Sequence, residues 1–119
     1  DNDITLVKNA IEKFAENNVE VHVTELAVRN YDNDAEPEHA AFYKKLVQTY
    51  VDINKAAQAA GKTGPITSLS IWGLFDAPYL STADYSYKMN GPYCGLFTEL
   101  YAVKDSFKNV YEVLANKRI

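Results

Sequence analysis

Two stretches of this 119-residue chain carry reactive or flat aromatic side chains where a strand should end. In Val19-Glu20-Val21-His22-Val23-Thr24-Glu25-Leu26-Ala27-Val28, branched apolar residues recur at every second position. That is the period of a pleated strand with one packed face. Parity puts Val19, Val21 and Val23 on one face, with Glu25 on the same face at the carboxyl end and His22 on the other. A carboxylate that closes a row of core residues marks a strand reaching a rim or a site, and β/α folds keep their chemistry at that end. In the second stretch, Ile66 to Trp72, the same parity groups Ser68, Ser70 and Trp72 against Leu69 and Ile71. A carboxylate can serve as nucleophile, base or protonated acid, and a strand-end Trp is a platform for a flat polar ligand such as a sugar. Taken singly, each has a plain alternative: a solvated glutamate at a strand end, and a tryptophan packed in the core.

The bulk composition narrows the chemistry. With 47% hydrophobic and 24% charged residues and no low-complexity tract, the chain suits one globular domain or a piece of a larger one. A net charge of -4 offers no basic patch, which argues against nucleic acid and against an anionic polymer as ligand. Nine Tyr, five Phe and one Trp favour a neutral, flat-faced ligand or a heavily aromatic core. Cys94 is the sole cysteine, so no intrachain disulfide forms, and it reads as a small buried hydrophobe. His22 and His39 are too few and wrongly spaced for a metal site, and nothing calls for a cofactor. No run is long enough to span a membrane and no signal peptide opens the chain; Asp1-Asn2-Asp3-Ile4 reads as the middle of a sequence.

The elements that must position Glu25 and Trp72 follow in order. Asp3 is placed to cap a first helix, with Ile4, Val7, Ile11 and Phe14 on its packed face. After the first strand, Arg29 to Glu36 form a polar loop, and Pro37 opens a second helix with Glu38 in its first turn. Phe42, Leu46, Tyr50, Ile53 and Ala57 predict its buried stripe and Gly61 its stop. The second strand follows, then a long aromatic loop, Gly73 to Gly95, containing Asp76, Tyr79, Tyr85, Tyr87, Asn90 and Tyr93. A last helix spans 103–115, with Val103, Phe107, Val110 and Leu114 inward. Helix, strand, helix, strand, helix is βα repetition, which predicts a parallel pair. Two parallel strands alone leave unpaired edges and too little sheet for three helices. A closed eight-stranded barrel takes about 250 residues, so the chain reads as a fragment of one.

Val21-His22-Val23-Thr24-Glu25-Leu26 resembles the strand of the family-10 glycoside hydrolases, retaining endo-1,4-β-xylanases, that reads apolar-x-Ile/Val-Thr-Glu-Leu-Asp. Trp72-Gly73-Leu74-Phe75-Asp76 is similar to the family's Trp-Gly-x-x-Asp segment. Gly95-Leu96-Phe97, followed by Tyr101, Lys104, Phe107 and Val110, is similar to its last loop and helix. The three matches stand in the family's order and cover nearly the whole chain. The resemblance implies an α/β fold in which residues 1–119 are the C-terminal part of a (β/α)8 TIM barrel. That part runs from about helix six to helix eight, with Glu25 ending strand seven and Trp72 ending strand eight. It further implies xylan or a xylo-oligosaccharide as substrate, Glu25 as nucleophile, Trp72, Asp76 and Tyr79 as substrate-binding residues, and a secreted location suited to a polymer. Two departures stand out. Ala27 occupies the position of the family's Asp after Glu-Leu, and Asp76-Ala77-Pro78-Tyr79 replaces a segment that often carries a second Trp, leaving Tyr79 as a substitute platform.

Retaining hydrolysis needs a second carboxyl about 5–5.5 Å from the nucleophile, to protonate the leaving oxygen. In the family that acid/base Glu follows an Asn, and no Asn-Glu pair occurs here. The resemblance therefore implies that the N-terminal portion of the same barrel, as a companion chain, supplies it. Thr98-Glu99-Leu100 repeats the Thr24-Glu25-Leu26 triplet, but Pro92-Tyr93-Cys94-Gly95 precede it where an apolar strand should, so Glu99 reads as a loop or helix-entry residue. His22, opposite Glu25 in parity, is expected to pack beneath a helix, and Asn30 and Tyr31 to line outer subsites. The competing readings are a non-catalytic carbohydrate-binding fragment and another retaining β-glycanase, a cellulase or mannanase, on the same barrel.

Overall fold

A computed structural model describes residues 2–78 and 90–115. In order these form α1 (Asn2–Glu16), β1 (Val21–Leu26), a single 3-10 turn (Asn33–Ala35), α2 (Glu36–Ala59), β2 (Ile66–Ile71) and α3 (Asp105–Ala115). The two strands pair in parallel, as the βα repetition predicts. Among the described residues each strand has one hydrogen-bonded neighbour and one open edge.

Helix α2 is the spine. Pro37 sits in its first turn, where its missing N–H costs nothing, and Glu36 and Glu38 face the positive end of the helix dipole. His39, Tyr43, Leu46, Tyr50 and Ile53 recur at helical spacing and are buried, with Ala40 and Val47 beside them. The expected stripe placed Phe42 and Ala57 there. Both are only half-buried, because the packed face is centred one residue farther round the helix. At its far end Asn54 takes both backbone groups of Ile66, donating to its carbonyl at 2.7 Å and accepting from its amide at 3.0 Å. The first outward-facing rung of β2 is thereby closed from within the chain.

The core joins Ile11, Leu26, Val28, Tyr43, Leu46, Val47, Tyr50, Ile53, Leu96, Val110 and Val113, with Val21, Val23, Leu69 and Ile71 packed against it. Four expectations are corrected here. Asp3 lies inside the first turn of α1 rather than capping it, because the helix already begins at Asn2. Phe14 is 51% exposed at the end of α1, beyond the reach of α2's buried face. Val103 precedes α3 and Leu114 turns outward, while Val113, unforeseen, takes the inward position. The helices thus cover one face of the strand pair, and the other face is left open.

Candidate active site

The open face is where Glu25 and Trp72 lie, by a route that parity alone misjudges. Val21 and Val23 pack toward the helices, and so do Leu26 and Val28, two positions of opposite parity. The phase changes between them. From Val23 to Leu26 β1 advances three residues while its partner advances two, from Leu69 to Ile71. Thr24 and Glu25 are both exposed at this irregularity, the behaviour of a bulge, which re-aims a side chain. Glu25 therefore does not share a face with Val21 and Val23, as simple alternation had it; those valines face the helices. His22, expected beneath a helix, is exposed as well, 3.2 Å from Glu20 Oε1. A compensating slip at Val21/His22, where β2 holds the extra residue, returns the two strands to a common register by their ends.

The last pairing, Leu26 with Ile71, is closed by the residue that follows β2. The Trp72 amide donates to the Leu26 carbonyl at 2.9 Å, so the residue after Glu25 and the tryptophan are fixed to each other. The Trp72 side chain is 45% exposed. Ser68 and Ser70 are exposed and Leu69 and Ile71 half-buried, so the alternation expected in β2 holds.

The loops that leave the two strands are tied together at this end. Segment 74–76 lies against 95–97, through Leu96 N to Leu74 O at 2.9 Å and Asp76 N to Phe97 O at 2.8 Å. Only a residue without a side chain fits at Gly95, where a Cβ would stand 2.5 Å from the Phe75 carbonyl carbon. The loop after β1 is held by Asn30 N to Asn90 O at 2.9 Å and Tyr93 N to Asn30 O at 3.1 Å. Gly91, at φ +88°, makes this approach feasible: a Cβ there would meet Asn30 O at 2.2 Å.

Beneath the loops lies a buried polar chain that sequence reasoning did not assemble. Lys104 Nζ donates to Asp76 Oδ1 at 2.9 Å and to the Tyr93 carbonyl at 2.9 Å, and pairs with Glu36 Oε2 at 3.1 Å. Asp76 Oδ1 also accepts from the Gly95 amide at 2.9 Å. Glu36 Oε1 accepts from the Ser106 amide at 2.9 Å, so a side chain of α2 caps the start of α3. His39 then joins Glu36 Oε2, 3.0 Å from Nδ1, to the Val28 carbonyl, 3.0 Å from Nε2. That carbonyl only accepts, which assigns a hydrogen to Nε2. Burial pushes the Glu36 carboxyl up, but hydrogen bonds from Ser106 and Lys104 and the Lys104 charge outweigh it and hold the group below its ordinary range. Burial dominates at Asp76 and raises it despite Lys104 and Gly95. It also pushes the Cys94 thiol up, with the nearby Asp76 charge adding to the effect.

The expected site residues thus fall into three groups. Glu25 and Trp72 come together at the ends of adjacent strands. Asp76 lies below them, 2% exposed, with its hydrogen-bonding oxygen engaged by Lys104 and Gly95. Tyr79 lies outside the described residues, as do Tyr85 and Tyr87. Asn30 is buried, turned inward to accept from Asp32 N at 3.2 Å, while Tyr31 is exposed. Glu99 belongs to a turn in which Thr98 Oγ1 accepts from Ala102 N at 3.0 Å, not to a strand. Among the described residues no three His, Cys, Asp or Glu gather as a metal site, and no helix is long and apolar enough to cross a membrane.

Residues 1–113 match the family described as glycosyl hydrolase family 10. Endo-1,4-beta-xylanase B of Butyrivibrio fibrisolvens is 34% identical over 76 residues, 62% of this chain and 11% of that protein. Among solved structures, native xylanase 10B from Thermotoga maritima superposes with a TM-score of 0.69 at 20% identity, over 92% of this chain and 31% of that one. The CBM22-1-GH10 modules of the Clostridium thermocellum N-terminal endo-1,4-beta-D-xylanase 10B, complexed with xylohexaose, give 0.68 at 25% identity, over 90% of this chain and 19% of that one. The chain therefore spans about a tenth of the curated relative and under a third of these two structures. Its fold is a partial piece of a (β/α)8 barrel.

Proposed function

Because the chain belongs to glycosyl hydrolase family 10, we propose that it is the C-terminal portion of a retaining endo-1,4-β-xylanase and supplies the nucleophile, Glu25. The observation that carries this reading is the pairing at the strand ends. An exposed carboxylate precedes the residue whose carbonyl binds the amide of an exposed tryptophan, on the strand face the helices leave open. In a closed barrel that face is the interior, and its carboxyl end is where the chemistry sits.

In the proposed reaction a Glu25 oxygen attacks the anomeric carbon of a xylosyl unit while a second carboxyl group protonates the departing glycosidic oxygen. The C–O bond to the leaving sugar breaks and a glycosyl ester on Glu25 forms. Water, deprotonated by the second carboxylate, then displaces Glu25 with net retention. Trp72 is the floor beneath the sugar at the cleavage point. Asp76 we assign to holding the loop under that floor rather than to the ligand. Tyr79 is proposed as a platform farther along the chain of sugars.

The acid/base comes from the N-terminal portion of the same barrel, and the open strand edges are where that portion pairs. Xylan is proposed as substrate because the relatives carry xylanase in their names. A polymeric substrate places the enzyme outside the cell.

The test combines this chain with the N-terminal barrel portion and compares native Glu25 with Glu25→Gln. Xylan cleavage by the native assembly, abolished in an intact Glu25→Gln assembly, is the expected result. Cleavage unchanged by the substitution removes the nucleophile role. A folded assembly that binds xylo-oligosaccharides without cleaving them leaves a carbohydrate-binding fragment in its place.

A further inference from the structure

A buried chain of polar contacts connects the two loops on which the proposed site depends. It runs from the Val28 carbonyl through His39, Glu36 and Lys104 to Asp76 and the Gly95 amide, each step between 2.9 and 3.1 Å. Val28 stands three residues beyond Glu25, and Asp76 four beyond Trp72. The side chains of His39, Lys104 and Asp76 are 1%, 5% and 2% exposed. Tyr43 packs edge-on against the His39 ring, with centroids 5.2 Å apart, and holds its orientation from below.

Such a construction is unfavourable unless every member is satisfied, because each charge has lost its water. Here the three ammonium hydrogens of Lys104 face three acceptors, on three separate segments of the chain. An apolar plug of similar size would serve stability as well or better. What a plug lacks is direction: hydrogen bonds fix where the backbone leaves each strand to a few tenths of an ångström, whereas apolar contacts tolerate sliding. Displacing a reacting group by about 1 Å costs about a hundredfold in rate.

We infer that His39, Glu36 and Lys104 are positioning residues that set Glu25 against Trp72 by locking the exit of β1 to the exit of β2. None of the three meets the substrate. Lys104 acts through Asp76 on the loop below Trp72, and His39 acts through the Val28 carbonyl on the loop that follows Glu25. The inference rests on the nucleophile reading of Glu25, and the experiment separates the two.

The probe is a dinitrophenyl 2-deoxy-2-fluoro-xylobioside, applied to the assembled barrel. Its C–O bond breaks as a Glu25 oxygen bonds to the anomeric carbon, and the electron pair leaves on dinitrophenolate without need of a proton. The inactivation rate therefore reports nucleophile placement independently of the acid/base group. His39→Gln, Lys104→Met and Lys104→Arg are compared with the native assembly at a temperature where circular dichroism shows each folded. The expected result is inactivation slowed about tenfold or more in Lys104→Met and His39→Gln, with inhibitor affinity within about twofold and partial recovery in Lys104→Arg. If Lys104→Met does not fold, His39→Gln decides, since it breaks only the outermost link. Labelling of Glu25 at the native rate in the folded variants overturns the inference and leaves the nucleophile reading standing. Labelling of some other residue in the native assembly, found by peptide mapping, removes both.

Discussion

The Trp72 amide and the Leu26 carbonyl meet at 2.9 Å, one residue beyond Ile71, the last paired residue of β2. This bond makes the tryptophan a continuation of the sheet, so its side chain inherits the alternation of Ser68 and Ser70 and emerges on the open face. Replacing the indole should therefore change binding without disturbing the fold. Trp72→Ala in the assembled barrel is expected to raise KM for xylan by about ten- to a hundredfold, from the loss of roughly 1.5–3 kcal/mol of apolar burial against the sugar. The melting temperature should stay near native because the side chain is 45% exposed already. An unchanged KM would place the sugar elsewhere.

The Lys104–Asp76 pair makes a prediction about stability. Removing one member of a buried pair leaves the other uncompensated, at a cost of about 3–5 kcal/mol. Lys104→Met should lose stability on that scale in urea denaturation, and Lys104→Met with Asp76→Leu should recover part of it, since Asp76 is then no longer a lone charge while Glu36 still lacks its ammonium partner. A double variant as unstable as the single one would show that the Gly95 amide and Tyr93 carbonyl, rather than the ion pair, hold the loop.

That pair also marks where the sequence stops being legible. The order of elements and the alternation in β2 follow from local periodicity, which is preserved along a strand, and the parallel pairing follows from the βα order. The face of Glu25 relative to Val21 and Val23 was not recoverable, because two compensating slips in register leave the strand ends where simple alternation puts them. His22 was misplaced for the same reason. Glu36, His39, Asp76 and Lys104 are separated by up to 68 residues, and each has an ordinary local explanation: a helix start, a lone histidine, a turn, a surface lysine. Their common burial appears only when α2 and α3 pack.

Glu36 should give the fold an acid limit. Its folded-state carboxyl titrates below the ordinary value of 4.5, so its contribution is present in full above that pH and is lost as pH falls through the depressed folded value. Asp76, raised above 3.8, has the opposite sign: its contribution is present below that pH and is lost as pH rises through its raised value. The gap in melting temperature between native and Glu36→Gln is therefore expected to be widest near neutrality and to close below about pH 4.5. A gap independent of pH would mean that Glu36 acts by packing alone.

Gly91 should be intolerant of a side chain. A Cβ there would stand 2.2 Å from Asn30 O, and its φ of +88° is a conformation that other residues reach only under strain. Gly91→Ala is expected to cost about 2 kcal/mol or more and to part the 90–93 segment from the loop after β1. Faster hydrogen exchange at the Asn30 and Tyr93 amides would report that separation, and native protection at both amides would contradict it.

The last prediction concerns the open side of the sheet. β1 and β2 each have one unpaired edge among the described residues, blunted on β2 only at Ile66 by Asn54. Leu74, Phe75, Leu100 and Tyr101 add exposed apolar surface near the carboxyl end. Unpaired edges beside apolar surface recruit further strands. This chain by itself is therefore expected to associate as its concentration rises, and the N-terminal barrel portion, by pairing with both edges, should suppress that association in proportion to its own concentration. Sedimentation velocity on the chain alone and in mixture distinguishes the cases. A single-sized complex of the two portions is the expected result, and a chain that stays monomeric at every concentration and ignores the other portion would remove the companion from the proposed function.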